Sequence, residues 1–90
     1  MDNTELLLKE LSEANGISGF EQPVREVLRK HLAGYGSFSQ DNLGSLICKV
    51  PGASSSPRVM IAAHMDEIGF IVKQITPQGA IQFVEIGGFL

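Results

Sequence analysis

The stretch Val59-Met60-Ile61-Ala62-Ala63-His64-Met65-Asp66-Glu67-Ile68-Gly69-Phe70 decides how this chain is read. Its first five residues are apolar with no alternation, the pattern of a strand covered on both faces. Such a strand delivers His64 and Asp66 at its carboxyl end, the edge at which open α/β sheets place ligands. In extended backbone the two side chains point to the same face, with α-carbons about 6.5–7 Å apart. That separation is too long for both to sit on one metal with ease. It suits an imidazole ligand with an acidic neighbour that orients it. Gly69 then lets the backbone turn away. On spacing alone a second reading stands beside this one: a hydrogen-bonded structural His64, with Asp66 and Glu67 opening a solvated turn.

Upstream, two helices are expected. Thr4 to Ala14 carries Leu7, Leu8 and Leu11 at helical spacing, with Glu5 in the first turn and Asn15-Gly16 as a left-handed stop. After the loop Gly16 to Phe20, Glu21 and Pro23 suit the first turn of a second helix, with Ser18 as a capping-box partner if the helix begins that early. Val24, Val27, Leu28 and Leu32 form its apolar stripe, Arg25, Glu26, Arg29 and Lys30 face outward, His31 is exposed, and Gly34 and Gly36 end it. Ser37 to Asp41 and Ser45 to Val50 read as strands about the turn Asn42-Leu43-Gly44, followed by a surface loop from Pro51 to Pro57. Downstream, Phe70 to Ile75 and Ala80 to Ile86 read as a hairpin over Thr76-Pro77-Gln78-Gly79, a type I turn pattern with Pro second and Gly fourth. Gly87-Gly88-Phe89-Leu90 ends the chain on apolar residues with no polar tail, the mark of a piece of something longer.

Composition narrows the function classes. Ninety residues make at most one small domain. A hydrophobic fraction of 43% with a net charge of −3 argues against disorder. The longest basic cluster is Arg29-Lys30-His31, which is no basic stripe for nucleic acid. The apolar runs are too short to cross a bilayer, and Asp2-Asn3-Thr4-Glu5 is not the start of a signal peptide. The single cysteine, Cys48, has no intrachain partner and no His or basic cluster beside it in sequence, so a reducing, cytoplasmic setting is expected and a reactive thiol is not. Ser18 lacks the G-x-S-x-G context of a nucleophile, and Gly16 and Gly19 follow no strand, so they form no dinucleotide fingerprint.

Three motifs now stand in order: Asn15-Gly-Ile-Ser-Gly-Phe-Glu21, Asp41-Asn-Leu-Gly-Ser-Leu46 and Ala63-His-Met-Asp-Glu-Ile-Gly-Phe70. Together they resemble the N-terminal part of the glutamyl/deblocking aminopeptidase family, dinuclear-metal exopeptidases that often form tetrahedral dodecamers and sometimes carry the label cellulase or endoglucanase. The resemblance covers essentially the whole chain. It implies an α/β fold: residues 1–69 as the N-terminal part of a catalytic α/β/α zinc-peptidase sandwich, and residues 70–90 as the first strands of an inserted β-barrel-like assembly domain. It places His64 on the family's metal-binding histidine and Asp66 on the acidic catalytic residue that assists it. It implies two divalent metal ions, zinc or cobalt, peptide substrates and a homo-oligomer; composition has already argued against a nucleic-acid or membrane partner. The family's bridging Asp, general-base Glu, remaining carboxylate ligands and second His fall on none of these 90 residues. The fragment alone is therefore expected to be inactive. Two alternatives are a related dinuclear zinc peptidase or deacylase, and a non-catalytic interaction domain.

Overall fold

Asp2 sets the start of the first helix, α1 (Asn3–Glu13), through a reciprocal capping box. Its Oδ1 accepts from the Glu5 N–H at 2.8 Å, and its own N–H donates to Glu5 Oε2 at 3.0 Å. Two amide donors at the helix start are thereby satisfied. Leu7 and Leu11 are half-buried, but Leu8 is 66% exposed, so the expected three-leucine stripe is a two-leucine one. The computed structural model describes residues 1–89; Leu90, the last residue of the expected 70–90 segment, lies outside the described residues.

Gly16 does not end α1 in the left-handed way expected of it. The helix closes at Ala14, whose N–H donates to Glu10 O at 3.0 Å, and Gly16 is absent from the glycines with positive φ. Its smallness serves another end: a Cβ there would stand 2.6 Å from Val24 Cγ2. Val24 is the buried hydrophobic side chain of the described residues and belongs to the second helix, α2 (Gln22–Leu32). Pro23 sits in the first turn as expected, but no side chain caps this helix, so Ser18 is not a capping partner. Val27, Leu28 and Leu32 are half-buried along the predicted stripe, and Gly34 follows the helix at φ 86°.

Two residues of α2 depart from their expected solvated places. His31 is not exposed: its side chain is 17% accessible, and its Nε2 meets Glu10 Oε2 of α1 at 2.7 Å. Lys30 Nζ donates to the other oxygen of Glu10 at 2.6 Å, so one carboxylate joins the two helices. Arg25 is half-buried and bonds a carbonyl of the next hairpin. Helical spacing marks the apolar stripe but not which flanking charges find a partner far along the chain.

Both hairpins form. Strands β1 (Ser37–Gln40) and β2 (Leu46–Lys49) pair antiparallel, with Ser37 opposite Lys49 and Gln40 opposite Leu46. The Arg29 guanidinium lies 5.4 Å from the centre of the Phe38 ring, attaching this hairpin to the last turn of α2. Strands β3 (Gly69–Ile75) and β4 (Ile81–Ile86) pair antiparallel, with the register shifting between Val72 and Gln74. Their turn closes as the Pro-x-Gly pattern predicts, by Gly79 N–H donating to Thr76 O at 2.9 Å. Phe70 packs on Phe83 edge-on, with ring centres 4.7 Å apart, and stacks with Phe89 at 5.2 Å.

Val59 to Ala63 is the major correction. It forms no strand; it runs as unpaired chain with Val59, Met60 and Ile61 exposed by 84%, 87% and 94%. The expectation of a central strand covered on both faces fails within the described residues because a strand needs neighbours, and neither two-stranded sheet includes this segment. The radius of gyration, 17.5 Å, exceeds the roughly 12 Å of a compact domain of this length. The chain is a mixed helix and strand assembly with long apolar stretches uncovered. None of its helices is long and apolar enough to cross a membrane, among the described residues.

Candidate functional site

The backbone from His64 to Glu67 is positioned by the loop between the two helices. Glu67 N–H donates to Gly16 O at 2.9 Å, and the Gly16 N–H donates to Glu67 Oε1 at 3.3 Å. Ile17 and Glu67 form an isolated parallel bridge. This close approach is why glycines recur here. A Cβ on Gly69 would stand 2.6 Å from Ile17 Cδ1, and one on Gly16 would strike Val24. Glu67, which in one of the two sequence readings opens a solvated turn, is exposed and also ties this segment to the helical layer. Its pairing with the Gly16 motif, 51 residues earlier, leaves no local signal in the sequence.

Held in this way, His64 and Asp66 meet as the extended spacing predicts. His64 Nδ1 lies 3.0 Å from Asp66 Oδ1 and 3.1 Å from the Asp66 carbonyl oxygen. Both partners are oxygens that only accept when the acid is ionised, so Nδ1 carries the proton. The lone pair of the neutral ring is then on Nε2. That is the tautomer of a metal-ligating imidazole whose other nitrogen is held by a carboxylate. The His64 side chain is 86% exposed and that of Asp66 41%, so the ring is open to a further group.

A cleft of about 310 Å³ opens beside the pair. Ala63, His64, Met65 and Asp66 form one wall, Leu43 to Leu46 another, and Glu21, at the start of α2, completes it. The Asp41–Ser45 loop is folded around the Asp41 carboxylate, whose Oδ1 accepts from Leu43 N–H at 3.0 Å and Ser45 N–H at 2.8 Å. These donors, the Ser45 amide first, hold the Asp41 carboxyl below the usual aspartate range. Residues of the second and third sequence motifs thus line one cleft, together with Glu21 from the first. Cys48 lies half-buried in β2, away from the cleft-lining residues.

A metal centre needs several nitrogen, oxygen or sulfur donors converging on one point. His64 fits one position of such a centre: an accessible nitrogen with the opposite ring nitrogen anchored. Among the described residues no three His, Cys, Asp or Glu side chains gather closely enough to hold an ion. One imidazole by itself does not make a ligand shell.

The sequence and the backbone are similar to those of known peptidases. Residues 44–90 match the M42 glutamyl aminopeptidase family, and residues 2–28 match the AMPT family. The chain belongs to the M42 glutamyl aminopeptidase family. It is 39% identical over 84 residues to the glutamyl aminopeptidase of Lactococcus lactis subsp. cremoris, covering 91% of this chain and 24% of that protein. It is 38% identical over 86 residues to the lysyl aminopeptidase of Pyrococcus furiosus, covering 93% of this chain and 24% of that one. Among solved structures, the TET aminopeptidase of the marine sediment archaeon Thaumarchaeota archaeon SCGC AB-539-E09 superposes with a TM-score of 0.91 at 37% identity, over 99% of this chain and 25% of that chain. A Thermotoga maritima protein titled endoglucanase superposes with a TM-score of 0.84 at 40% identity, over 91% of this chain and 27% of that one. The M42 chain thus spans about a quarter of the length of the relatives it matches.

Proposed function

We propose that these 90 residues are the His64-bearing quarter of a metal-dependent aminopeptidase that removes N-terminal residues from peptides. One observation carries the reading: His64 is locked by Asp66 in the tautomer that leaves Nε2 free, at the mouth of a cleft, on a chain of the M42 family. In this reading His64 is a metal ligand and Asp66 acts through it. Two zinc or cobalt ions, when bound, would supply Lewis acidity toward the scissile carbonyl and an acidified water.

The chain's own contribution is orientation. Asp66 fixes the ring plane of His64 and its tautomer by accepting from Nδ1–H. Glu67 and Gly16 fix the backbone that bears both. Leu43 and Leu46 offer an apolar wall against which a peptide side chain packs. The other ligands and the general base belong to the remaining three quarters of a full-length enzyme. The same reading makes residues 1–69 the start of a catalytic α/β/α sandwich and residues 70–90 the first strands of an inserted β-barrel-like domain. Unpaired Val59–Ala63 and the exposed faces of β3 and β4 support it, since each lacks the layer such a sandwich and barrel would provide. A cytoplasmic homo-oligomer of the dodecameric type is part of the proposal.

The test is a chimera in which this chain replaces the matching 84 residues of the Lactococcus lactis enzyme. Release of p-nitroaniline from glutamyl-p-nitroanilide and metal per subunit are measured with and without His64→Ala, with circular dichroism as the folding control. Zinc- or cobalt-dependent turnover that falls to background in a folded His64→Ala chimera supports the reading. Unchanged turnover and metal content in that variant would end it.

A further inference from the structure

Helix α2 reaches both walls of the cleft. The loop before it bonds the His64-bearing wall, through Gly16 and Glu67. One turn in, Arg25 reaches the other wall: its Nη1 donates to Gly44 O at 3.1 Å, while its Nε donates to Gln22 Oε1 at 3.0 Å. Gln22 thereby fixes the plane of the guanidinium, and the planar fork has lost its freedom before it meets the carbonyl. Gly44 sits at φ 90°, and a Cβ there would stand 3.3 Å from Arg25 Nη1, so the loop is shaped to this approach.

The loop itself is stiff, because Asp41 accepts three backbone N–H groups within it, two on its side chain and one, from Gly44, on its carbonyl. A stiff loop moves as a body. What sets its place relative to His64 is then its attachment to α2, and the packing between α2 and the β1–β2 hairpin is otherwise sparse, with Arg29 on Phe38 near the far end of the helix.

We propose that Arg25 is a positioning residue that sets the width of the cleft: it holds the Leu43–Leu46 wall at a fixed distance from the Ala63–Asp66 wall. Resting on the aminopeptidase reading for its substrate, this makes Arg25 a determinant of how tightly a peptide's N-terminal residue is held beside His64. Arg25 touches neither the reacting atoms nor a metal. Its loss acts on binding before chemistry.

The experiment uses Arg25→Ala and Arg25→Lys in the full-length protein, read by amide hydrogen exchange and by steady-state kinetics on aminoacyl-p-nitroanilides. In Arg25→Ala, exchange at residues 42–46 accelerates about tenfold and KM rises about tenfold, the scale of one hydrogen bond from a charged donor. Exchange at residues 63–67 and in β3–β4, metal content and kcat stay within about twofold, on the same scale. Arg25→Lys, which still reaches Gly44 O with a cation, recovers most of KM. Unchanged exchange at 42–46 would overturn the proposal, as would faster exchange there with unchanged KM. Acceleration across all segments in both variants would also overturn it, by assigning Arg25 to general stability. Absence of aminopeptidase turnover in the unsubstituted protein would refute the functional reading instead, and exchange at 42–46 alone would then decide whether Arg25 holds the loop.

Discussion

His64 Nδ1 stands 3.0 Å from Asp66 Oδ1, two residues along the same extended segment, and this contact fixes which ring nitrogen is free. Removing either partner therefore has different consequences. In the full-length protein, His64→Ala should lose one equivalent of metal and nearly all turnover. Asp66→Asn keeps an acceptor for Nδ1–H but removes the charge. Turnover should fall about 10–100-fold, the usual range for such outer partners, with metal content largely kept. Metal analysis beside kcat for the two purified variants checks the assignment. Full metal content in His64→Ala would remove it from the ligand set.

Gly16→Ala should destabilise the helical layer. The added Cβ would fall 2.6 Å from Val24 Cγ2 and 3.4 Å from Met65 O, and Val24 is β-branched and already buried. It has little freedom to move aside. Overpacking of this kind costs about 1–3 kcal/mol. Urea denaturation should show a lower midpoint, and the Glu67–Gly16 bonds should loosen with it. A midpoint equal to that of the unsubstituted protein would show that the loop yields without strain.

Glu10 predicts an acid limb in the docking of α1 on α2. Hydrogen bonds from Lys30 first, then His31, hold its carboxyl below the usual glutamate range. A carboxylate whose folded pKa is depressed contributes stability that is complete above its unfolded pKa, about 4.3, and is lost as pH falls through the lower folded value. Protection of the α1 amides, measured against their intrinsic exchange at each pH, should therefore fall on acidification through that window. Glu10→Gln should flatten the dependence there. An α1 profile identical in the two proteins would assign the acid limb to other carboxylates.

Much of this architecture was legible because it is local. The α2 stripe Val24, Val27, Leu28 and Leu32, both hairpins, and the Thr76–Gly79 turn rest on periodicity and turn chemistry, which need no knowledge of the rest of the chain. The pairing of His64 with Asp66 follows from the two-residue period of extended backbone. What the sequence hid is non-local. Gly16 reads as a helix stop until Val24 is seen against it. His31 and Arg25 read as solvated until Glu10 and Gly44 reach them. Val59–Ala63 carries the pattern of a covered strand, yet pattern alone cannot supply the strands that would cover it.

That uncovered segment makes the 90-residue chain prone to self-association. Val59, Met60 and Ile61 are almost fully exposed on unpaired backbone, and Phe70, Ile75, Ile81 and Phe83 add an apolar surface, each more than half exposed. Unpaired extended chain and apolar patches both invite a second copy. Sedimentation should show concentration-dependent association that weakens in Ile61→Lys. A sharply melting monomer at high concentration would contradict this.

The 90-residue chain should show no aminopeptidase activity, even with added zinc or cobalt. Its cleft offers one free imidazole nitrogen, and among the described residues no three metal-binding side chains converge. A two-metal centre needs several ligands across both ions, and Asp66 is committed to the Nδ1 side of His64. Loss of acid–base assistance alone slows such reactions about 10²–10⁴-fold. Any metal uptake should be no tighter than that of an exposed histidine. The assay is chromophore release from aminoacyl-p-nitroanilides by the purified chain, with His64→Ala beside it. Metal-dependent turnover that disappears in His64→Ala would mean that associated copies of this chain build a shared site.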